Sequence, residues 1–320
     1  MATDRSRPII PMVLAVVSLA ACQPADRAEP ADRAASTDRA ASADRATSAA
    51  TVEVVAADYT FRGPSEIPSG WITFSLKNEG REHHFMLLNR LPDDKTFEDY
   101  QQEVATPFDE VWDELKAGAV DKAEAGAMLG RLLPAWYASV RTMGANGLLA
   151  PGLAVRTTVK LDPGLYVMEC YVKTADGTFH TSLGMQLPIT VTDTPSGGTP
   201  PEADIEITLT NFEISVVGEL TAGEHTVAVN FEEHPEFGLG NDVHLVRLGD
   251  GISVDDVVPW MDWMNLDGLR APAPATFLGG TQEMPIGYTA YFSVTLESGR
   301  YAWIAESGAA LGMVKTFTVE

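Results

Sequence analysis

The fold of this chain is decided by residues 164–191, which read GLYVMECYVKTADGTFHTSLGMQLPITV, and by residues 299–319, which read GRYAWIAESGAALGMVKTFTV. Both stretches begin with a glycine and an alternating run, pass through a loop to Gly-Met, and end in a β-branched run. Short alternating runs of this kind are typical of β-strands. The second stretch is seven residues shorter, and the difference falls in the loop. The sequence therefore predicts the same strand-loop-strand unit twice.

The repeat extends across both halves of the chain. Matching segments follow in the same order at residues 52–61 and 205–214, 69–74 and 222–227, 90–99 and 247–256, and 155–166 and 290–301. Ordered internal matches indicate two copies of one domain. A stretch rich in glycine and proline separates them, as expected of a linker. We therefore predict a first domain at 51–193, a linker at 194–202 and a second domain at 203–320.

The pattern within each copy predicts the fold class. Most segments are short, β-branched and bounded by glycine or proline, which indicates an all-β fold of two Greek-key β-sandwiches in tandem. Residues 95–143 are the exception, because their apolar side chains recur at helical spacing. The second copy has a shorter helical pattern at 253–264. Each sandwich is thus expected to carry a helical insertion, which is larger in the first.

The N-terminus has the features of an export signal. Arg5 and Arg7 precede an apolar run at residues 9–21 that is too short to span a bilayer. The run ends in Leu-Ala-Ala before Cys22, which resembles the lipobox of bacterial lipoproteins and implies that Cys22 is lipidated. The alternative is an ordinary secretory signal with a chance cysteine. Residues 23–50 repeat Ala-Asp-Arg-Ala without a large apolar side chain, which predicts a disordered tether.

These features predict the location of the protein. With residues 1–22 as the signal peptide, we expect a lipid-anchored protein of the cell envelope that faces the periplasm. Gln23, rather than an aspartate, follows the cysteine and favours sorting to the outer membrane.

The acidic charge lies on the part of the chain that is expected to fold. The 320 residues include 22 basic and 45 acidic side chains, for a net charge of −23, whereas the first 50 residues are neutral with six of each. Such a surface repels nucleic-acid phosphates and anionic lipid, so no nucleic acid and no membrane contact beyond a lipid anchor are expected. It favours a basic partner, although solubility is the simpler explanation.

One group of residues suggests a metal site. Cys170 ends a strand, His180 follows after nine residues, Met185 opens the next strand, and His83 and His84 lie far upstream. An exported protein meets oxidising conditions, in which a lone thiol is a liability unless it is buried or ligated. A thiolate, two imidazoles and a thioether form the ligand set of a mononuclear blue-copper site. Burial as a small apolar side chain is the alternative for Cys170, and core packing is the alternative for Met185.

With these residues the sequence resembles the cupredoxins, the plastocyanin and azurin superfamily. The ordered elements of the match are Asn78, His83 or His84, Cys170, Asp176-Gly177, His180, Gly184 and Met185. The resemblance implies one type 1 copper in the first domain, with Cys170, His180 and one of the paired histidines as strong ligands and Met185 as the axial ligand. Spacing from Asn78 favours His83, and a shift of one residue would select His84. The nine-residue loop is longer than in small electron carriers of this family.

The second copy lacks most of this set. Cys170 aligns with Ala305, the paired histidines align with Gly240-Asn241, His180 has no counterpart, and only Met313 is retained. A thioether alone does not hold copper. We therefore expect a second domain without metal that has a structural or docking role.

Three hypotheses for function follow. The first is a membrane-anchored type 1 copper protein that transfers single electrons, with a basic redox partner such as a cytochrome. The second is an interaction module, or a protein that stores or delivers copper without redox turnover. The third is a relic that binds no metal. The sequence contains no hydrolase motif and no His-x-His motif of the multicopper oxidases, so an electron carrier or a binding protein is expected rather than an enzyme.

Overall fold

The computed structural model describes residues 48–235, 240–306 and 308–320. The predicted signal peptide at 1–22, the lipidation site Cys22 and the tether at 23–50, apart from its last three residues, lie outside the described residues. Within the described ranges, no helix is long and apolar enough to cross a membrane.

The strands of the two copies follow the repeat in the sequence. Those of the first copy are β1 (Ala50–Ala57), β2 (Thr60–Arg62), β3 (Glu66–Asn78), β4 (Leu87–Arg90), β5 (Arg141–Thr142), β6 (Ala154–Leu161), β7 (Gly164–Glu169) and β8 (Gln186–Pro195). Those of the second are β9 (Ile205–Thr210), β10 (Glu213–Val217), β11 (Gly223–Phe231), β12 (Val243–Leu248), β13 (Thr276–Thr281), β14 (Thr289–Leu296), β15 (Gly299–Ile304) and β16 (Val314–Val319). β8 continues to Pro195 and so includes the first two residues of the predicted linker.

Each copy is a sandwich with the same strand order. In the first copy, one layer is β2-β1-β3-β6 and the other is β8-β7-β4-β5, while the start of β3 also pairs with β8. In the second copy, the layers are β10-β9-β11-β14 and β16-β15-β12-β13. β1 runs parallel to β3, and β9 runs parallel to β11 in the same way. The predicted all-β class and the tandem Greek-key sandwiches are confirmed.

The two sandwiches share a sheet. β14 pairs antiparallel with β6, with Phe292 opposite Thr157 and Tyr291 opposite Thr158. Buried apolar side chains of the two copies belong to one continuous cluster, which includes Phe74 of β3 and Phe292 of β14. The second copy is therefore packed firmly on the first.

The insertion in the first copy consists of short helices. They are α1 (Phe97–Tyr100), a π-helical segment (Gln101–Ala105), α2 (Thr106–Lys116), α3 (Lys122–Leu132) and a 3₁₀ turn (Ala135–Ser139). Capping boxes at Thr96 and Asp121 satisfy the free N–H groups at the starts of α1 and α3. Val111, Trp112 and Leu115 form the buried face of α2, as the helical spacing predicts.

The helical segment of the second copy is shorter than predicted. α4 spans Val254–Val257 and passes into a 3₁₀ turn at Val258–Met261, whereas the sequence pattern predicted a helix to Met264. Pro259 has no N–H to donate to the preceding turn, so the α-helix cannot continue past it unchanged. The expectation that the first copy carries the larger insertion is confirmed.

Candidate metal centre

Three of the predicted ligands converge in the first copy. Cys170 directly follows β7, His180 ends the loop after it, and His84 lies between β3 and β4. β4 and β7 are neighbours in one layer, with Leu87 opposite Glu169. This pairing brings His84 beside Cys170, and one ligand atom of each of the three residues lies within 4.8 Å of the others. All three side chains are fully buried.

The distances fit a trigonal metal site. The sulfur of Cys170 is 3.9 Å from Nδ1 of His84 and 3.7 Å from Nδ1 of His180. For a metal bonded to sulfur at about 2.3 Å and to nitrogen at about 2.0 Å, an angle of 120° separates the two donor atoms by about 3.7 Å. The donors are thus spaced for one ion in their plane. A thiolate with two imidazoles in a plane is the equatorial set of a blue-copper site.

Two carboxylates fix the orientation of the imidazoles. Nε2 of His84 is 3.0 Å from Oδ1 of Asp58, and Nε2 of His180 is 2.8 Å from Oε2 of Glu82. A carboxylate accepts the proton of the nitrogen that faces it, so Nε2 donates and the lone pair stays on Nδ1. Both lone pairs therefore belong to the nitrogens that face the sulfur. Carboxylate partners of this kind orient histidine ligands in metal sites.

Burial sets the protonation states of the site. Burial raises the pKa of Cys170 to about 12, although hydrogen bonds from the backbone N–H groups of Phe85 and Val172 oppose the shift. Burial lowers the pKa of His180 to about 3, and it also lowers the pKa of His84. At neutral pH the imidazoles are therefore neutral and ready to bind a metal. The thiol keeps its proton until a cation replaces it.

The structure brings His84, and not His83, to the sulfur. The ring of His83 packs against Trp260 and Phe277 of the second copy, with ring centroids 6.3 and 5.7 Å apart. Successive side chains of an extended segment point to opposite sides, so only one of the pair can face Cys170. Burial lowers the pKa of His83 to about 4, and its buried Nε2 atom has no hydrogen-bond partner among the described residues.

Met185 lies in the turn that follows His180. Its N–H donates to the carbonyl of His180 at 3.0 Å, and its carbonyl accepts from the N–H of Cys170 at 3.3 Å. Gly184 makes the turn possible because it has a φ of 99°, which favours glycine. Met185 is fully buried and is tied by its backbone to two of the converging ligands.

The second copy repeats this backbone with other side chains. Met313 donates to the carbonyl of Gly308 and accepts from the N–H of Ala305, at 3.0 and 3.1 Å. Ala305 thus occupies the position of Cys170, and Gly308 occupies that of His180. The prediction that His180 has no counterpart is wrong, because the seven missing residues precede the turn. A Cβ atom on Gly308 would lie 2.4 Å from the sulfur of Met313, so a side chain there would force that methionine to move.

A second buried group of possible ligands lies between the copies and consists of Asp242, His244 and Glu306. Nδ1 of His244 accepts the backbone N–H of Leu148 at 3.0 Å, and its Nε2 is 3.0 Å from Asp242. The other oxygen of Asp242 accepts the N–H of Glu306 at 2.7 Å. Both nitrogens of His244 are therefore engaged, and this group holds the two copies together rather than presenting a lone pair to a metal.

The long loop after Cys170 is held by the second copy. Lys173 is fully buried, and its ammonium donates to the carbonyls of Trp263 and Asn265 at 2.8 and 2.7 Å. The same ammonium lies 4.3 Å from the ring centroid of Trp112 in α2. Arg270 of the second copy also donates to the carbonyl of Ala175 at 2.8 Å. These contacts replace the restraint that a short loop would impose on His180.

Sequence reasoning missed Asp58, Glu82 and Lys173. Asp58 is 26 residues from His84, and Glu82 is 98 residues from His180, so neither carboxylate lies close in sequence to the histidine that it holds. Lys173 lies within the loop, but its partners are about 90 residues away in the chain. The position of a lysine between a cysteine and a histidine ligand was the one available signal.

Comparison with known proteins finds only structural likenesses. No protein-family model and no curated protein matches the sequence. Among solved structures, a reduced auracyanin of Roseiflexus castenholzii matches with 23% identity over 45% of this chain and 98% of its own, at a TM-score of 0.27. Auracyanin A, a blue copper protein of Chloroflexus aurantiacus, matches with 21% identity over 44% and 98%, at 0.26. A multicopper oxidase matches with 15% identity over 84% and 88%, at 0.22. At these TM-scores the likenesses carry no weight, so the copper proposal rests on the side chains of the site.

Proposed function

We propose that the first copy binds one type 1 copper ion and that the protein transfers single electrons. The observation that carries the proposal is the convergence of two imidazole Nδ1 atoms on the sulfur of Cys170, at 3.9 and 3.7 Å. When bound, copper supplies a one-electron couple. A hydrolytic metal site would instead need an open position for water, whereas His84, Cys170 and His180 are fully buried.

The residues around the site support rapid transfer. Cys170 gives up its proton to become the thiolate ligand, and the N–H groups of Phe85 and Val172 stabilise the negative sulfur. Asp58 and Glu82 hold both imidazoles in place. Because these partners are fixed before the metal binds, the ligands have little freedom to rearrange between oxidation states.

The residues that pack beside His180 offer a route for electrons to a partner protein. The ring of Tyr59 lies 4.7 Å from that of His180, and the turn Thr181–Leu183 follows directly in sequence. Leu183 is 46% exposed, so an apolar side chain stands at the surface three residues from a ligand. We infer that a redox partner docks on this surface.

The proposal includes the cellular location of the protein and its partner. The resemblance of the run before Cys22 to a lipobox supports a lipid-anchored protein that faces the periplasm, on the outer membrane in particular. The net charge of −23 supports a basic partner such as a cytochrome. On this proposal the protein is an electron carrier and not an enzyme.

Addition of one equivalent of Cu(II) to the full chain tests the proposal. We expect an intense visible absorption band from the thiolate-to-copper transition that is bleached by ascorbate and restored by air. Cys170→Ser should abolish the band, and Ala305→Ser at the matching position should leave it unchanged. Colourless binding that resists reduction would favour storage or delivery, and no binding at all would mean a relic site, so either result overturns the proposal.

A further inference from the structure

A cavity of about 110 Å³ lies between the helical insertion and the second copy. Its walls come from β4 and the insertion of the first copy, from the loop that carries Tyr171 and Phe179, and from the second copy at Trp263 and residues 282–283. It is separate from the metal centre, because none of His84, Cys170, His180 and Met185 lines it. A cavity of about 150 Å³ holds benzene, so this one encloses a group of about four or five non-hydrogen atoms, the size of a trimethylammonium head.

Aromatic rings form much of the wall. Trp263 lies at their centre, with its ring 6.2 Å from Phe108, 6.3 Å from Tyr171 and 6.3 Å from Phe179. Tyr100 and Tyr137 complete the aromatic lining. The faces of such rings are negative, and groups of them attract organic cations.

The remaining walls carry acidic groups, of which Asp242 is paired with His244 outside the cavity lining. Asp109, Glu169, Asp242 and Glu283 line the cavity, and none of its lining residues is basic. Burial raises the pKa of Glu283 and of Asp109 although His234 and Lys116 act to lower it, so the ionised carboxylates would gain from more positive charge. A cation in the cavity would supply that charge.

Gln282 gives independent evidence that the cavity receives a ligand. The residue is 1% exposed and lines the cavity, and its buried Nε2 group has no hydrogen-bond partner among the described residues. A buried donor without a partner costs about 1–3 kcal/mol, so native proteins retain few of them. An oxygen of a bound molecule would satisfy it.

We propose that this cavity binds a small methylated ammonium compound that carries a hydroxyl or carbonyl oxygen. The ammonium group lies against the ring of Trp263 and close to Glu283, and the oxygen accepts the amide proton of Gln282. The inference concerns a site other than the metal centre and does not depend on copper.

Titration calorimetry of the metal-free full chain with choline tests the proposal. We expect saturable binding of one choline per chain. The neutral isostere 3,3-dimethylbutan-1-ol has the same shape without the charge and should bind at least about tenfold more weakly, because the carboxylates and rings no longer attract it. Tetramethylammonium has the charge without the oxygen and should also bind more weakly than choline.

Variants identify the groups that bind. Glu283→Gln keeps the acceptor for the N–H of Gly240 but removes the charge, and Gln282→Leu removes the donor; each should weaken choline binding about tenfold. Glu114→Gln changes an exposed acid on α2 and serves as the control that should bind as before. Circular dichroism establishes that each variant is folded.

Three results would overturn the proposal. The first is the absence of saturable choline binding to the folded wild-type chain. The second is equal binding of choline and its neutral isostere, which would show an apolar pocket without selectivity for charge. Undiminished choline binding by both folded variants would overturn the assignment to this cavity.

Discussion

The two copies carry the same turn and use it differently. In both, the carbonyl of a methionine after a left-handed glycine accepts from the N–H of the residue that follows the preceding strand, Cys170 for Met185 and Ala305 for Met313. The backbone distances agree within 0.2 Å. What separates a candidate metal centre from a plain turn is therefore three side chains and seven loop residues, and not the fold.

Two buried histidines, one in each copy, show what decides whether a histidine can bind a metal. His84 and His244 are both fully buried, and each has its Nε2 atom 3.0 Å from an aspartate. Nδ1 of His84 faces the sulfur of Cys170, whereas Nδ1 of His244 accepts the N–H of Leu148. The group opposite the second nitrogen decides whether a buried histidine is free to bind a metal or only joins two segments.

The largest expected effect is on copper affinity. It compares the removal of a strong ligand in the first copy with the removal of the matching residue in the second. His84→Ala should weaken copper binding at least about a thousandfold, because it loses about one third of the binding free energy of a site with three strong ligands. Asn241→Ala at the matching position should leave copper affinity unchanged. Competition with a chelator of known affinity measures both.

His83→Ala sharpens the same test. The ring of His83 contacts Trp260 and Phe277 rather than the sulfur, so its loss should lower the melting temperature and leave the visible band in place. If His83→Ala abolished the band and His84→Ala did not, the assignment from the geometry would be wrong.

The second prediction concerns the carboxylates behind the two buried histidines. Asp58→Asn should lower copper affinity about 10- to 100-fold, since it weakens the hydrogen bond that fixes the Nδ1 lone pair of His84. Asp242→Asn changes the equivalent partner of His244 and should reduce thermal stability without an effect on copper. An equal loss of copper affinity in both variants would contradict the distinction between the two histidines.

The third prediction tests the contact between the copies. Lys173→Met keeps the apolar stem but removes the donors to the carbonyls of Trp263 and Asn265. The loop should then be less restrained, and copper should dissociate several-fold faster in stopped-flow competition. Lys160→Met alters an exposed lysine of β6 and is the control. Unchanged dissociation in Lys173→Met would mean that the second copy does not restrain the ligand loop.

The smallest expected effect is the pH dependence that His225 of the second copy contributes to stability. His225 of β11 occupies the position that Ile72 occupies in β3, according to the repeat. Burial alone would lower the pKa of His225, but hydrogen bonds to Asp204 and to the carbonyl of Thr221 raise it overall. The protonated form therefore stabilises the fold below pH 6.5, and this contribution is lost as pH rises through the raised pKa.

His225→Ile should remove that dependence. The side chain of Asp204 is 55% exposed, so solvent screens the pair and the difference in unfolding free energy between pH 6 and pH 8.5 should fall by less than about 1 kcal/mol. Denaturant unfolding at the two pH values measures the change. If His225→Ile lost more unfolding free energy at pH 8.5 than at pH 6, the sign would be reversed and the assignment of the pH dependence to His225 would be refuted.

Much of the fold could be predicted from the sequence because it is periodic and repeated. Alternation within strands and the order of matched segments predicted two sandwiches. The stretch from Cys170 to Met185 predicted a metal site in the first of them. The choice between His83 and His84 required strand register, because spacing alone is uncertain by one residue and one residue reverses the side on which a side chain lies.

The supporting contacts could not be predicted in the same way. Asp58 is 26 residues from the histidine that it orients, and the partners of Lys173 belong to the other copy. Gly308 was missed as the counterpart of His180 because a deletion in the loop conceals the match until the backbone bonds are compared. Such contacts depend on tertiary packing, which leaves no local pattern.

The pairing of β6 with β14 has a consequence for how this chain can be divided. In an isolated sandwich each of these strands would be an open edge, with its N–H and C=O groups ready to pair with another molecule. In the intact chain, each copy covers the other's exposed edge. Either half expressed alone would be prone to associate with itself through the uncovered strand, so the second sandwich acts as a covalently attached subunit of a dimer.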